Sequence, residues 1–191
     1  MKNIIRKTLL AGVAATMTVG SAQAASIVYE GGLIPGIGSS GSVGGFSWFL
    51  DQATGVDFWV FNAVAGTNIT LKVDRLNANL DPALSLYRGT TGADTSTFVS
   101  GASFGGMTFI GSLDDEAPAA LLPGPNGDPL GLFAITSTGS YTVAVGGSGS
   151  TDSGSYPYRI TMTVSAVPEP ASMVLLGAGL LAVGWRRRGQ R

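Results

Sequence analysis

Along residues 56–164 the chain alternates apolar and polar positions with a period of two, the signature of half-buried β-strands. Asn68 to Val73 sets Ile69, Leu71 and Val73 on one face against Thr70 and Lys72 on the other. Ala83 to Tyr87 alternates through Leu84 and Leu86, and Ser140 to Gly146 groups Tyr141, Val143 and Val145. Tyr158, Ile160, Met162 and Val164 alternate with Arg159, Thr161 and Thr163. Val56 to Ala63 is apolar on both faces, which predicts a central strand. Gly45 to Leu50, Thr108 to Leu113 and Gly131 to Thr136 are further strand candidates, with Ser26 to Tyr29 a weaker one. Gly31 to Gly44 and the proline-bearing Glu116 to Pro129 read as loops. Short strands joined by glycine-rich turns predict an all-β fold, an antiparallel β-sandwich over residues 25–166.

The two ends break this pattern. In residues 1–24, Lys2, Arg6 and Lys7 precede the mostly apolar Thr8 to Val19, and Ala22-Gln23-Ala24 closes the segment. That order predicts a helical signal peptide cut by signal peptidase, with Ala25 opening the mature chain. Residues 167–191 hold Val167-Pro168-Glu169-Pro170, then the uncharged Ala171 to Trp185, then Arg186, Arg187, Arg188 and Arg191. As a helix, that apolar stretch reaches about 22 Å at about 1.5 Å per residue, against a hydrocarbon core of about 30 Å. Bilayer thinning and snorkelling of the flanking arginines let so short a transmembrane helix anchor, with the arginines on the cytoplasmic side and the sandwich outside.

The tail resembles the PEP-CTERM sorting signal of Gram-negative bacteria, with Pro168, Glu169 and Pro170 as the motif and Arg186, Arg187 and Arg188 flanking the anchor. The resemblance implies a transient inner-membrane stage, cleavage near Pro-Glu-Pro by a membrane-embedded exosortase, and transfer to the cell surface or the exopolysaccharide matrix. The middle of the chain resembles the bacterial pre-peptidase C-terminal domain. The residues that carry this likeness are Val56 to Phe61, Asn79 to Tyr87, the acidic run Asp114-Asp115-Glu116, Thr138 to Val145 and Gly154 to Tyr156. It implies a jelly-roll-like sandwich, of which some relatives bind calcium at loop carboxylates.

Composition narrows the chemistry. The chain has no histidine and no cysteine, which removes the commonest general base, the commonest zinc ligand, thiolate sites and disulfides. Between Lys7 and Arg186, four basic residues stand against twelve acidic ones, a net charge of −8 that argues against nucleic acid as a partner. Gly101-Ala102-Ser103-Phe104-Gly105 has the letters of a nucleophile elbow, and Gly36 to Gly41 those of a dinucleotide loop. The first needs a histidine and a following helix, the second a βαβ unit, so both read as glycine loops. Asp81, Asp114 and Asp115 are the candidate ligands of a calcium ion, the other reading being a solvated acidic loop. Trp48, Phe49, Phe58, Trp59 and Phe61 read as core rather than as a sugar platform.

These features predict a non-enzymatic binding or structural module at the cell surface or in the matrix, with polysaccharide as a candidate partner. The competing reading is a secreted, carboxylate-dependent hydrolase acting on polysaccharide.

Overall fold

The computed structural model describes residues 26–44, 55–93, 98–124, 126–148 and 154–166. Nine strands run in chain order: β1 (Tyr29–Gly32), β2 (Gly38–Gly44), β3 (Asp57–Ala63), β4 (Thr67–Arg75), β5 (Pro82–Arg88), β6 (Thr108–Leu113), β7 (Leu130–Ile135), β8 (Gly139–Gly147) and β9 (Ser155–Ala166). They form two sheets, ordered β1-β3-β8-β5-β6 and β2-β9-β4-β7, stacked as a sandwich. Every pairing is antiparallel except β1 with β3, so the sandwich is mixed at one edge rather than wholly antiparallel.

The inner faces carry the alternating residues of the sequence pattern. Ile69, Leu71 and Val73 of β4 meet Leu84 and Leu86 of β5, Val143 and Val145 of β8 and Ile160 of β9 in one buried cluster. A second cluster covers the outer face of the first sheet. Phe98, Phe104 and Met107, from the β5–β6 connection, pack on Phe58, Ala83, Tyr87 and Ala144. Phe98 meets Phe58 edge-on at 5.3 Å and Phe104 at 5.4 Å, the geometry that ring quadrupoles favour. This cover explains why β3 is apolar on both faces. It lies second in its sheet, beside the central β8, and is buried from both sides.

Gly38 to Gly44, expected as loop, is strand β2, paired with β9 from Gly38↔Thr161 to Gly44↔Ser155. Its composition hides it, because close packing admits no side chain at Gly41. A Cβ there would lie 2.5 Å from the Tyr158 hydroxyl, and at Gly38 3.0 Å from Arg159 Cδ. The weaker strand expected over Ser26 to Tyr29 is displaced to β1. Glu116 to Pro129 is a loop as expected, pinned by an isolated bridge between Ala117 and Asp128. The strand expected over Gly45 to Leu50, the residues Trp48 and Phe49, the signal helix of 1–24 and the sorting tail of 167–191 lie outside the described residues. Among the described residues no helix is long and apolar enough to cross a membrane.

Candidate cation site

Two neighbouring strands, β5 and β6, deliver the acidic residues to one end of the first sheet, and β8 brings Ser148 beside them. Because β5 is antiparallel to both β6 and β8, its start faces their ends: Pro82 pairs with Gly147 and Leu84 with Leu113. Asp81 precedes β5, Asp114 and Asp115 follow β6, and Ser148 follows β8. Pro82 opens its strand, a position where its missing N–H costs no ladder bond, and the Ser148 N–H bonds to the Asp81 carbonyl at 2.6 Å. One carboxylate oxygen from each of Asp81, Asp114 and Asp115 lies within 4.8 Å of the others. The sequence singled out these three, and the fold brings them together from two stretches of chain, before β5 and after β6.

The cluster is only partly satisfied. Asn126 Nδ2 donates to Asp81 Oδ2 at 2.6 Å, and Ser148 Oγ donates to Asp114 Oδ2 at 3.1 Å. Glu116 turns back and accepts from the Asp114 N–H at 2.8 Å. Asp81 Oδ1 and Asp114 Oδ1 are buried and have no partner among the described residues. Burial raises the pKa of both carboxyls, with Asp115 adding to each by like-charge repulsion. Orphaned, desolvated carboxylate oxygens brought together from two loops are hard donors of the kind that hold an oxygen-loving cation. Asp115 is exposed, and an open cleft of about 470 Å³ between Asp115–Ala119 and the residues Pro123, Gly124, Asn126 and Gly127 reaches it from solvent.

Asp128, a further acidic residue of this region, stands apart from the three. It is fully buried and paired with Arg75, whose Nε donates to Asp128 Oδ1 at 2.6 Å. The same guanidinium donates from Nη2 to the Asn126 carbonyl at 2.8 Å and to the Gly127 carbonyl. Arg75 thus seats the proline-bearing loop, and with it the Asn126 side chain that holds Asp81. Sequence reasoning missed Arg75, Asn126 and Ser148. The only signal for Arg75 was the scarcity of basic residues in an acidic domain.

The other sequence candidates are ordinary structure. Ser103 Oγ accepts from the Phe109 N–H at 3.2 Å, and no helix follows it. Gly36 (φ 77°) sits in the turn that enters β2. Phe58, Trp59 and Phe61 are buried, which withdraws Trp59 as a sugar platform. Pro168, Glu169, Pro170 and Arg186 to Arg188 lie outside the described residues. The described chain ends on β9 at Ala166, immediately before them.

Comparison with curated proteins yields no match. Among solved structures, the chain is similar to CorA, a surface-associated copper-binding protein of Methylomicrobium album BG8. The identity is 13%, the match covers 72% of this chain and 98% of CorA, and the TM-score is 0.51. It is also similar to PliG of Aeromonas hydrophila, a periplasmic inhibitor of g-type lysozyme (16% identity, 75% and 89% covered, TM-score 0.41). The pre-peptidase C-terminal domain of Bacillus anthracis collagenase is a further neighbour (13% identity, 71% and 97% covered, TM-score 0.40). At such identities the likeness to CorA speaks to the fold alone, and the two lower scores carry no argument. The tail is matched separately: residues 166–188 fit the PEP-CTERM protein-sorting motif, so this chain carries that sorting motif directly behind the last strand of its sandwich.

Proposed function

We propose that this chain is an exported protein of the cell surface or exopolysaccharide matrix, whose β-sandwich is a non-enzymatic, calcium-holding module delivered by its C-terminal tail. The observation that carries the reading is the sorting motif at residues 166–188, which begins where β9 ends. That motif supports the later steps of the route and the order of residues 1–24 the first: signal peptidase releases the mature chain at Ala25, the tail anchors it in the inner membrane, and exosortase cuts near Pro168-Glu169-Pro170.

Asp81, Asp114 and Asp115 would hold the cation, which supplies the positive charge that the two orphaned oxygens lack. Calcium takes six to eight oxygen ligands, and water fills the positions that the protein leaves open. Copper, the metal that CorA binds, does not suit these residues, because the chain has neither histidine nor cysteine to offer it. The hydrolase reading is weakened by the same geometry. Ligand oxygens within 4.8 Å of each other fit one shared ion. A glycosidase pair stands about 5–9.5 Å apart across a cleft.

Mass spectrometry of the protein from its own cells, with and without exosortase, tests the route. The expected mature chain starts at Ala25 and lacks the apolar tail only when exosortase is present. Intact termini on cytosolic protein would overturn it. Polysaccharide turnover that Asp115→Ala abolishes would overturn the non-enzymatic reading.

A further inference from the structure

The tail leaves the sandwich at the end opposite the acidic cluster. β9 runs from Ser155 to Ala166, and Ala166 pairs with Thr67 at the start of β4, which in turn pairs with Ile135 at the end of β7. In the first sheet the same end holds the end of β3 (Ala63), the end of β5 (Arg88) and the start of β8 (Gly139). The charges divide between the two ends. All eight described carboxylates lie toward the other end, from Glu30 and Asp57 to Asp74, Asp128 and the acidic cluster. At the tail end, Arg88 is the sole charged side chain among the described residues, and it donates to Ser137 Oγ at 3.2 Å.

That end, free of carboxylates among the described residues, also exposes apolar side chains. Val64, in the turn that crosses from β3 to β4, is 60% exposed and Val164, near the end of β9, 44%. Ile34 (56%) and Ile37 (55%) flank a turn whose Gly36 N–H bonds to the Met162 carbonyl. The far end exposes apolar side chains too, Val28 (75%), Leu76 and Leu121, but on the side where the described carboxylates lie. We infer that the tail end of the sandwich is a lipid-facing surface, which rests on the outer face of the inner membrane while the tail is still attached. Val64, Val164, Ile34 and Ile37 meet the headgroup boundary, Arg88 pairs with lipid phosphate, and the cation site points away from the bilayer.

Two physical arguments select lipid as the occupant. Between Ala166 and Ala171, where the uncharged stretch of the tail opens, stand only Val167 to Pro170, which fully extended span roughly 14 Å. The headgroup layer takes up roughly 6 Å of that, so the fold cannot stand clear of the lipid. Among the described residues, the surface presented at that distance offers exposed apolar groups and the charge of Arg88 with no carboxylate, against the single Glu169 of the linker, a balance that favours interfacial binding.

This inference rests on the anchoring role proposed for the tail, and one experiment separates the two. The chain has no cysteine, so single Val64→Cys and Leu121→Cys variants of the full chain accept one fluorescent label each. Each is reconstituted into vesicles of phosphatidylethanolamine and phosphatidylglycerol with brominated acyl chains. The expected result is flotation with the vesicles, quenching of the label at position 64 and none at 121. Arg88→Glu in the same background should lower the docked-to-upright ratio by at least about fivefold, the worth of one basic residue at an anionic surface. Failure to float overturns the anchor reading and this inference together. Flotation with equal quenching at both positions, or quenching at 64 only when exosortase is co-reconstituted, overturns this inference alone.

Discussion

The indole N–H of Trp59 on β3 donates to the Tyr158 hydroxyl on β9 at 2.7 Å, so one buried bond joins the two sheets through the core. The Tyr158 hydroxyl in turn donates to Asp57 Oδ2 at 2.8 Å, and the Ser42 N–H reaches the same oxygen at 3.1 Å. Three strands from both sheets therefore meet on one carboxylate.

Tyr158→Phe removes the hydroxyl and leaves the Trp59 N–H buried without an acceptor. Stranding a buried donor costs about 1–3 kcal/mol. Urea denaturation should show that loss as a lower midpoint with an unchanged slope. A variant as stable as the parent would mean that the hydrogen bond contributes nothing net.

Asp57 makes the same junction sensitive to pH. Its pKa is raised to about 6 from the ordinary 3.8, chiefly by burial, with Glu30 nearby adding to the rise and the bonds from Tyr158 and Ser42 opposing it. A folded-state pKa above the unfolded value means that the folded protein holds the proton more tightly. The stabilisation is full below about pH 4 and is lost as pH rises through about 6. The carboxylate is only half-buried, so solvent screening reduces the change to about 1 kcal/mol. Asp57→Asn keeps an oxygen that accepts both bonds and has no charge to bury. Thermal melts should show the variant gaining on the parent between pH 4 and 8. Parallel curves for the two proteins would remove Asp57 from the pH response.

Much of this fold could be read from the sequence, because burial imposes a period of two on any strand with one wet face. That signal located β4, β8 and β9, and the doubly apolar β3 announced a strand covered from both sides. It failed where burial is met by having no side chain at all. β2 reads Gly-Ser-Ser-Gly-Ser-Val-Gly, with Val43 its single large apolar residue, yet it pairs with β9 along its whole length. The acidic trio was legible as residue types, and the resemblance supplied their nearness. Arg75 was not, because its partner Asp128 lies 53 residues away and neither position carries a local pattern.

Gly41 tests the account of β2. A Cβ there would contact Asp57 Oδ2 and lie 2.5 Å from the Tyr158 hydroxyl. Gly41→Ala should cost about 1–3 kcal/mol by overpacking. The Ser42 amide should exchange its hydrogen faster than in the parent. Unchanged exchange in β2 would show that the strand is held by its ladder alone.

Asp114→Asn separates the cation site from a solvated acidic loop. Without a cation, the charged Asp114 is unfavourable above the ordinary carboxylate range, because burial and its neighbours Asp115, Asp81 and Glu116 raise its pKa. The variant should therefore melt higher than the parent in chelator at neutral pH. Calcium stabilises whatever binds it in the folded state, in proportion to the logarithm of ligand excess. Added calcium should raise the melting temperature of the parent and leave the variant behind, reversing their order. The same calcium response in both proteins would exclude Asp114 as a ligand.

Arg75 ties the loop chemistry to the core, since its guanidinium reaches Asp128 and the carbonyls of Asn126 and Gly127 at once. Arg75→Met leaves Asp128 charged, buried and unpaired, a loss of about 3–5 kcal/mol. Removing both charges in Arg75→Met/Asp128→Leu should restore most of that stability, because the stranded charge, more than the missing attraction, sets the penalty. Calcium affinity should behave differently. The double variant still lacks the donor that fixes Asn126, so Asp81 loses its 2.6 Å restraint even in a stable protein. Denaturation and calorimetry on the same pair of variants therefore separate the two roles. Recovered stability with weakened calcium binding marks Arg75 as the residue that positions the site, and full recovery of both would leave it a structural ion pair alone.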